Sequence, residues 1–205
     1  MRFSVRARLT AALAAVLLVV SALPASAEMP GSSDDPSADI SELVKVSAAE
    51  VTLDLGVIGD PESKVSVSAT DYVDVHESSF ELDLAALARD YATTSTRTCY
   101  YSTMSKTYYN GWGNPSTTAS MYVEWCGQNG VVTQLLTQTC SGSAGSGWTY
   151  QGCSKWSGST GFSYLRVGGD WTYRFGYLYY IYRYVNLSAK LYHDGRITGT
   201  WTMTQ

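Results

Sequence analysis

The chain has 205 residues, with 18 acidic and 14 basic side chains, four cysteines and 26 aromatic residues, 16 of them tyrosine. Charged residues make up only 16% and aromatic residues 13%, which excludes a disordered polyelectrolyte, a coiled coil and a basic nucleic-acid binder. Two histidines, His76 and His193, are too few for a metal site of three imidazoles.

Residues 1–27 read as a secretory signal peptide. Arg2, Arg6 and Arg8 form a positive start, and Ala11 to Leu23 is a thirteen-residue apolar stretch. That stretch falls short of the roughly 20 residues needed to span a bilayer. Ala25-Ser26-Ala27 supplies an A-x-A cleavage signal, so the mature chain is expected to begin at Glu28 and to be extracellular, without a stable membrane anchor. The arginines are not adjacent, which points to the general secretory route. Cleavage removes three arginines and no acid, leaving a net charge of −7.

The mature chain changes character near residue 90. Residues 28–90 hold 15 acids against Lys45, Lys64 and Arg89, a net charge of −12, with two aromatics and no cysteine. Residues 91–205 hold three acids (Glu124, Asp170 and Asp194) against eight basic residues, a net of +5, together with all four cysteines and 23 aromatics. Such asymmetry is a signal in its own right. Glu28 to Asp39, rich in Ser, Asp and Pro, reads as a flexible linker. Ile40 to Val57 and Val65 to Leu87 mix alternation with short apolar runs, a pattern that fits strands or a helix. Residues 28–90 are therefore read as an acidic linker, a removable pro-segment or a small subdomain, and residues 91–205 as the main domain.

That domain is read as an antiparallel β-sandwich or barrel. Asn110-Gly111, Asn129-Gly130, Gly168-Gly169 and Asp194-Gly195 supply the positive φ angles that hairpin turns require, and the stretches between them are rich in Thr, Val, Tyr and Trp. A two-residue turn at Gly168-Gly169 places Arg166 opposite Trp171 and Tyr164 opposite Tyr173. One face then carries Phe162, Tyr164, Arg166, Trp171, Tyr173 and Phe175 as an aromatic ladder. Trp171, Tyr173, Tyr164 and Arg166 are accordingly the candidate binding residues, with the core face as the alternative reading of the same ladder. The run from Tyr177 to Val185 is aromatic on both faces. Because a buried tyrosine needs a partner for its hydroxyl, some of these tyrosines are expected to reach water or a ligand.

Four cysteines in an exported chain imply two disulfides. In the hairpin turning at Asn129-Gly130, Cys126 is expected opposite Thr133, which leaves Cys140 too far along for a Cys126–Cys140 bond. Cys140 and Cys153 flank a Gly/Ser-rich loop and are paired, leaving Cys99 with Cys126. Closing the 140–153 loop is worth about 3 kcal/mol on the chain-entropy model. Spacings of 27, 14 and 13 contain no C-x₂₋₄-C pair, so zinc is not expected.

No catalytic constellation is legible. A glycosidase needs two carboxylates across a cleft, yet Asp170 and Asp194 adjoin turns and only Glu124 falls on a predicted strand. His193 beside Asp194 does not make a triad, since neighbouring strand residues face opposite ways. Nucleophile-elbow, Walker and dinucleotide-binding signatures are missing. The segment Tyr122-Val-Glu-Trp-Cys126 with Asn129-Gly130, then Trp148-Thr-Tyr-Gln-Gly152 and the Asp194-Gly195 hairpin, resembles small secreted β-rich proteins of actinobacteria that have no assigned activity. The resemblance covers about residues 120–201, implies a secreted sandwich-like domain, and carries over no functional residue.

The leading expectation is a secreted, non-enzymatic module for extracellular carbohydrate or a cell-envelope polymer, with no cofactor, metal or nucleic acid. The alternatives are a protein-directed inhibitor or antagonistic effector masked by residues 28–90, and a structural surface protein. Intact mass and N-terminal sequencing of protein recovered from culture medium, with and without reduction and alkylation, should give a start at Glu28 with four oxidised cysteines. A start near Tyr91 would identify residues 28–90 as a removed pro-segment.

Overall fold

The computed structural model describes residues 36–72, 75–84, 97–176 and 181–205. The expected signal peptide, its expected cleavage site and most of the expected linker lie outside these residues, as do Tyr177 to Tyr180. The last residues of the expected linker open a helix instead, α1 (Pro36–Val44), with proline at its first position, where the missing N–H costs no hydrogen bond.

Ten strands follow among the described residues: β1 (Ala48–Val57), β2 (Asp60–Asp71), β3 (Glu77–Leu82), β4 (Thr98–Tyr109), β5 (Pro115–Gln128), β6 (Val131–Ala144), β7 (Trp148–Ser157), β8 (Tyr164–Phe175), β9 (Ile181–Tyr192) and β10 (Ile197–Thr204). They form two five-stranded antiparallel sheets, sheet A in the order β2-β1-β4-β5-β6 and sheet B in the order β3-β10-β9-β8-β7. The mainly β, sandwich-like architecture agrees with the sequence.

Alternation builds the core. Leu53, Leu55, Met104, Met121, Val123 and Trp125 from sheet A meet Leu165, Val167, Trp171, Tyr173, Leu187 and Trp201 from sheet B, all buried. Trp171 and Trp201 lie 5.5 Å apart between ring centres. Buried indoles need acceptors: Trp125 Nε1 donates to Tyr192 O at 2.8 Å and Trp171 Nε1 to Ser141 O at 2.7 Å, so each ties one sheet to the backbone of the other.

The compositional break near residue 90 is not a break in the fold. β1 pairs along its whole length with β4, and β3 pairs with β10. Strands β1, β2 and β3 thus belong to the same two sheets as the strands of the basic half. In β1 and β3 the acids Glu50, Asp54, Glu77 and Glu81 occupy alternate positions, so these carboxylates point outward while Leu53, Leu55, Phe80 and Leu82 pack into the core. Strand pairing and apolar packing join the two halves, and Arg196–Glu81, at 3.9 Å, is an ion pair between them.

Asn129-Gly130 is the expected two-residue turn, with φ of 51° and 81°. A register shift after Cys126 sets that residue opposite Gln134, one position beyond the expected Thr133. Asn110-Gly111 and Asp194-Gly195 also lie in turns. Gly168-Gly169 does not. Both glycines sit inside β8, which pairs without interruption with β9. They are required for space rather than for a turn. A Cβ on Gly168 would lie 2.1 Å from the Trp156 ring, and one on Gly169 would lie 2.8 Å from the Trp171 ring and 2.7 Å from Met121 Cε.

Both expected disulfides are present. Cys99–Cys126 links directly opposed residues of β4 and β5. Cys140–Cys153, with Cα atoms 6.3 Å apart, joins β6 of sheet A to β7 of sheet B and stitches one side of the sandwich. The other side is held from within: the buried Lys106 ammonium donates to Val75 O at 3.1 Å and Ser78 Oγ at 2.9 Å, where the chain passes between the sheets.

At one end, α1 caps the sandwich over a buried Arg183. The guanidinium donates to Ser116 Oγ (2.9 Å), Thr117 Oγ1 (2.8 Å), Val44 O (3.2 Å) and Gln205 Oε1 (3.0 Å), and lies 4.1 Å above the Trp148 ring. Burial pushes its pKa down to about 10, still leaving it charged at neutral pH.

The placement of Gly168-Gly169 has a direct test. Asparagine is welcome in a hairpin turn. In the strand interior Gly169→Asn drives an amide into Trp171 and Met121, and thermal unfolding should register a loss of about 1–3 kcal/mol.

Candidate functional site

The uninterrupted β8 divides the four candidate binding residues by parity. Trp171 and Tyr173 are odd-numbered, face the core and are fully buried. The Tyr173 hydroxyl donates to Thr118 O at 2.6 Å, and burial raises its pKa. Tyr164 and Arg166 are even-numbered and lie on the outer face of sheet B. The ladder therefore does not form. Without a chain reversal at 168–169, residues 164 and 166 cannot share a face with 171 and 173. Phe175 also turns inward, while Phe162 lies exposed before β8.

The two outer faces differ in chemistry. That of sheet A is a lawn of hydroxyls: Ser68, Thr52, Ser105, Ser120 and Ser141 line up across all five strands. Much of its hydrogen-bonding capacity is spent internally. Ser105 bonds Ser120 at 2.9 Å and Thr107 bonds Thr118 at 3.1 Å. Ser68 and Tyr109 both donate to Glu50, whose carboxyl they hold below its usual pKa range. Tyr122 donates to Glu124 at 2.5 Å, and that bond, with some desolvation, pushes the phenol up to about 12.

The outer face of sheet B offers open aromatic surface over a polar floor. Tyr182 and Tyr184, two residues apart on β9, point the same way, with ring centres 6.1 Å apart and planes within 15°. They form an exposed ledge, Tyr184 being 52% accessible. One row further along, Thr202, Asn186, Asp170 and Ser154 run across β10, β9, β8 and β7. Asn186 Nδ2 donates to Asp170 Oδ1 at 2.6 Å, and Ser154 Oγ donates to its other oxygen at 3.5 Å. These bonds fix the carboxylate and the amide while leaving lone pairs and an N–H directed outward.

Beyond this row, the Trp156 ring lies on Gly168, opposite Ser188. Strand spacing and rise place Trp156 roughly 16 Å from Tyr184 across the floor. Tyr164 and Tyr192 close that end, 5.7 Å apart between ring centres.

The residues that the sequence failed to single out are Tyr182, Tyr184, Trp156 and Asn186. The first two carried a signal, since an aromatic run on both faces of a strand must expose one set. Their alternation with Arg183 obscured it, because the charged residue is the buried one.

The three carboxylates of the basic half lie apart. Glu124 is on the outer face of sheet A, Asp170 is on that of sheet B, and Asp194 caps its own turn by accepting from Arg196 N at 3.2 Å. The His193 backbone packs against Gly127, where a Cβ would approach its carbonyl to 2.0 Å. All four cysteines are oxidised, which removes the thiolates a zinc site would use. Among the described residues no group of three or more His, Cys, Asp or Glu side chains is placed to hold a metal ion, and no helix is long and apolar enough to cross a membrane.

Comparison with protein-family models, with curated proteins and with solved structures gave no match.

The facing of β8 and β9 is open to a stability test. Tyr184→Ala should leave the unfolding free energy within about 0.5 kcal/mol of the parent. Tyr173→Ala, which opens a cavity between the sheets, should cost about 3–5 kcal/mol in the same denaturant titration.

Proposed function

We propose that the protein is an extracellular, non-enzymatic binding module for a polysaccharide, and that it binds on the outer face of sheet B. The observation that carries this reading is the stacked Tyr182–Tyr184 ledge beside the Asn186–Asp170–Ser154 row. A pyranose ring presents an apolar C–H face that packs on the negative face of an aromatic ring, and its equatorial hydroxyls need fixed donors and acceptors at the ring's margin. The ledge provides the first and the row the second. Trp156, at the far side of the floor, would take a later sugar of the same chain.

Two disulfides fit an oxidising compartment, and export with cleavage after Ala27 belongs to the same reading. Its non-enzymatic part is supported by the separation of Glu124, Asp170 and Asp194, which leaves no pair of these carboxylates flanking one cleft. An effector masked by residues 28–90 would need a segment that detaches. Here that segment supplies strands to both sheets, and its release would expose the core.

The test is retention of the full chain on insoluble polysaccharides, together with affinity electrophoresis in soluble ones. Tyr184→Ala and Trp156→Ala should each weaken binding about tenfold, the worth of one ring contact. Failure of the parent to bind any polysaccharide would sink the reading.

A further inference from the structure

The same face holds a feature that a neutral sugar does not use. Arg166 on β8 and Lys190 on β9 are directly opposed partners, so two like charges project side by side with Cβ atoms roughly 5 Å apart, an arrangement that disfavours the folded state. Neither forms an ion pair among the described residues. The nearest acid in the row, Glu81, lies on β3 with Thr198 between it and Lys190, and it is engaged by Arg196. Small neighbours keep the pair open: Thr198 stands beside Lys190, and Gly158, whose N–H donates to Arg166 O, stands beside Arg166.

Rings border the pair along the strands. Lys190 Nζ lies 5.0 Å from the centre of the Tyr164 ring. The Trp156–Gly168–Ser188 row is the next one along, about 7 Å away.

Resting on the polysaccharide reading above, we propose that the occupant is a polyuronate, a chain whose sugars carry a carboxylate on the ring. Charge complementarity calls for an anion between Arg166 and Lys190, where the planar guanidinium can hold a carboxylate through two parallel hydrogen bonds. The flanking Trp156 and Tyr164 call for a flat ring within one row of that anion. A uronic acid carries both on a single unit. A polyol phosphate chain has the charge without a ring to stack, and a neutral glycan has the ring without the charge.

Affinity electrophoresis of the full chain in polygalacturonate, in the same polymer after reduction of its carboxyls, and in polyglycerol phosphate separates the cases. Retardation is expected in polygalacturonate, falling about tenfold on carboxyl reduction and weakening as salt is raised. The double variant Arg166→Gln/Lys190→Gln should lose about tenfold toward polygalacturonate and most of its salt dependence. Its thermal midpoint should be no lower than the parent's, because the repulsion is gone. Equal binding to the carboxyl-reduced polymer, equal or tighter binding to polyglycerol phosphate, or an unaffected double variant would each overturn the polyuronate while leaving the polysaccharide reading intact. Absence of binding to every polysaccharide would remove both.

Discussion

A full positive charge lies inside the end of this sandwich, with no carboxylate among the described residues to neutralise it. Arg183 has to find neutral acceptors for its N–H groups, because leaving a buried cation unsatisfied costs several kcal/mol. The acceptors come from four distant parts of the chain: the C-terminal end of α1 through Val44 O, the start of β5 through Ser116 and Thr117, the residue after β10 through Gln205, and the Trp148 ring face at the start of β7. Charge-assisted hydrogen bonds are short and directional, so these segments have little freedom to slide. The register of β9, the seat of α1 and the closure of the sandwich end all follow. The outward display of Tyr182 and Tyr184 follows as well, since they alternate with the inward Arg183.

The two sides of the sandwich are closed by different chemistry. On one, Cys140–Cys153 bridges β6 to β7, and Gln138 donates to the carbonyls of Trp156 and Gly168 at 3.1 Å each. On the other, the buried Lys106 gathers the crossing at residues 75–78. With both sides tied and α1 over one end, the outer sheet faces remain the broad surfaces. Sheet A spends many of its hydroxyls on one another and on Glu50 and Glu124. Sheet B keeps its rings and its Arg166–Lys190 pair uncovered.

Where the sequence read correctly, the cause was local. Asn129-Gly130 makes its turn because Asn and Gly tolerate positive φ wherever they stand. The cysteine pairing followed from loop geometry and from the exclusion of a Cys126–Cys140 bond. The expectation that part of the run from Tyr177 to Val185 must face outward rested on hydroxyl satisfaction, and Tyr182 and Tyr184 meet it.

Where it misread, a residue type had two uses. A glycine pair permits a turn by its φ freedom, or permits close packing by its missing Cβ. Gly168 and Gly169 are the second kind, making room for Trp156 on one face and Trp171 on the other. That single substitution of purpose turned Trp171 and Tyr173 from surface into core. Within the acidic stretch, Glu50 and Asp54 of β1 and Glu77 and Glu81 of β3 likewise mark only the outward positions of strands whose alternate residues pack into the core.

By itself, then, the sequence determined a β-rich, disulfide-linked chain with excess aromatic surface, because composition, turn chemistry and cysteine spacing act within a few residues. Tertiary structure alone decided which aromatics are covered, that a lone arginine is buried, and that two cations stand together on an open face. Those outcomes depend on which strand lies opposite, and strand neighbours such as β1 and β4, or β3 and β10, are set by packing between residues far apart in the chain.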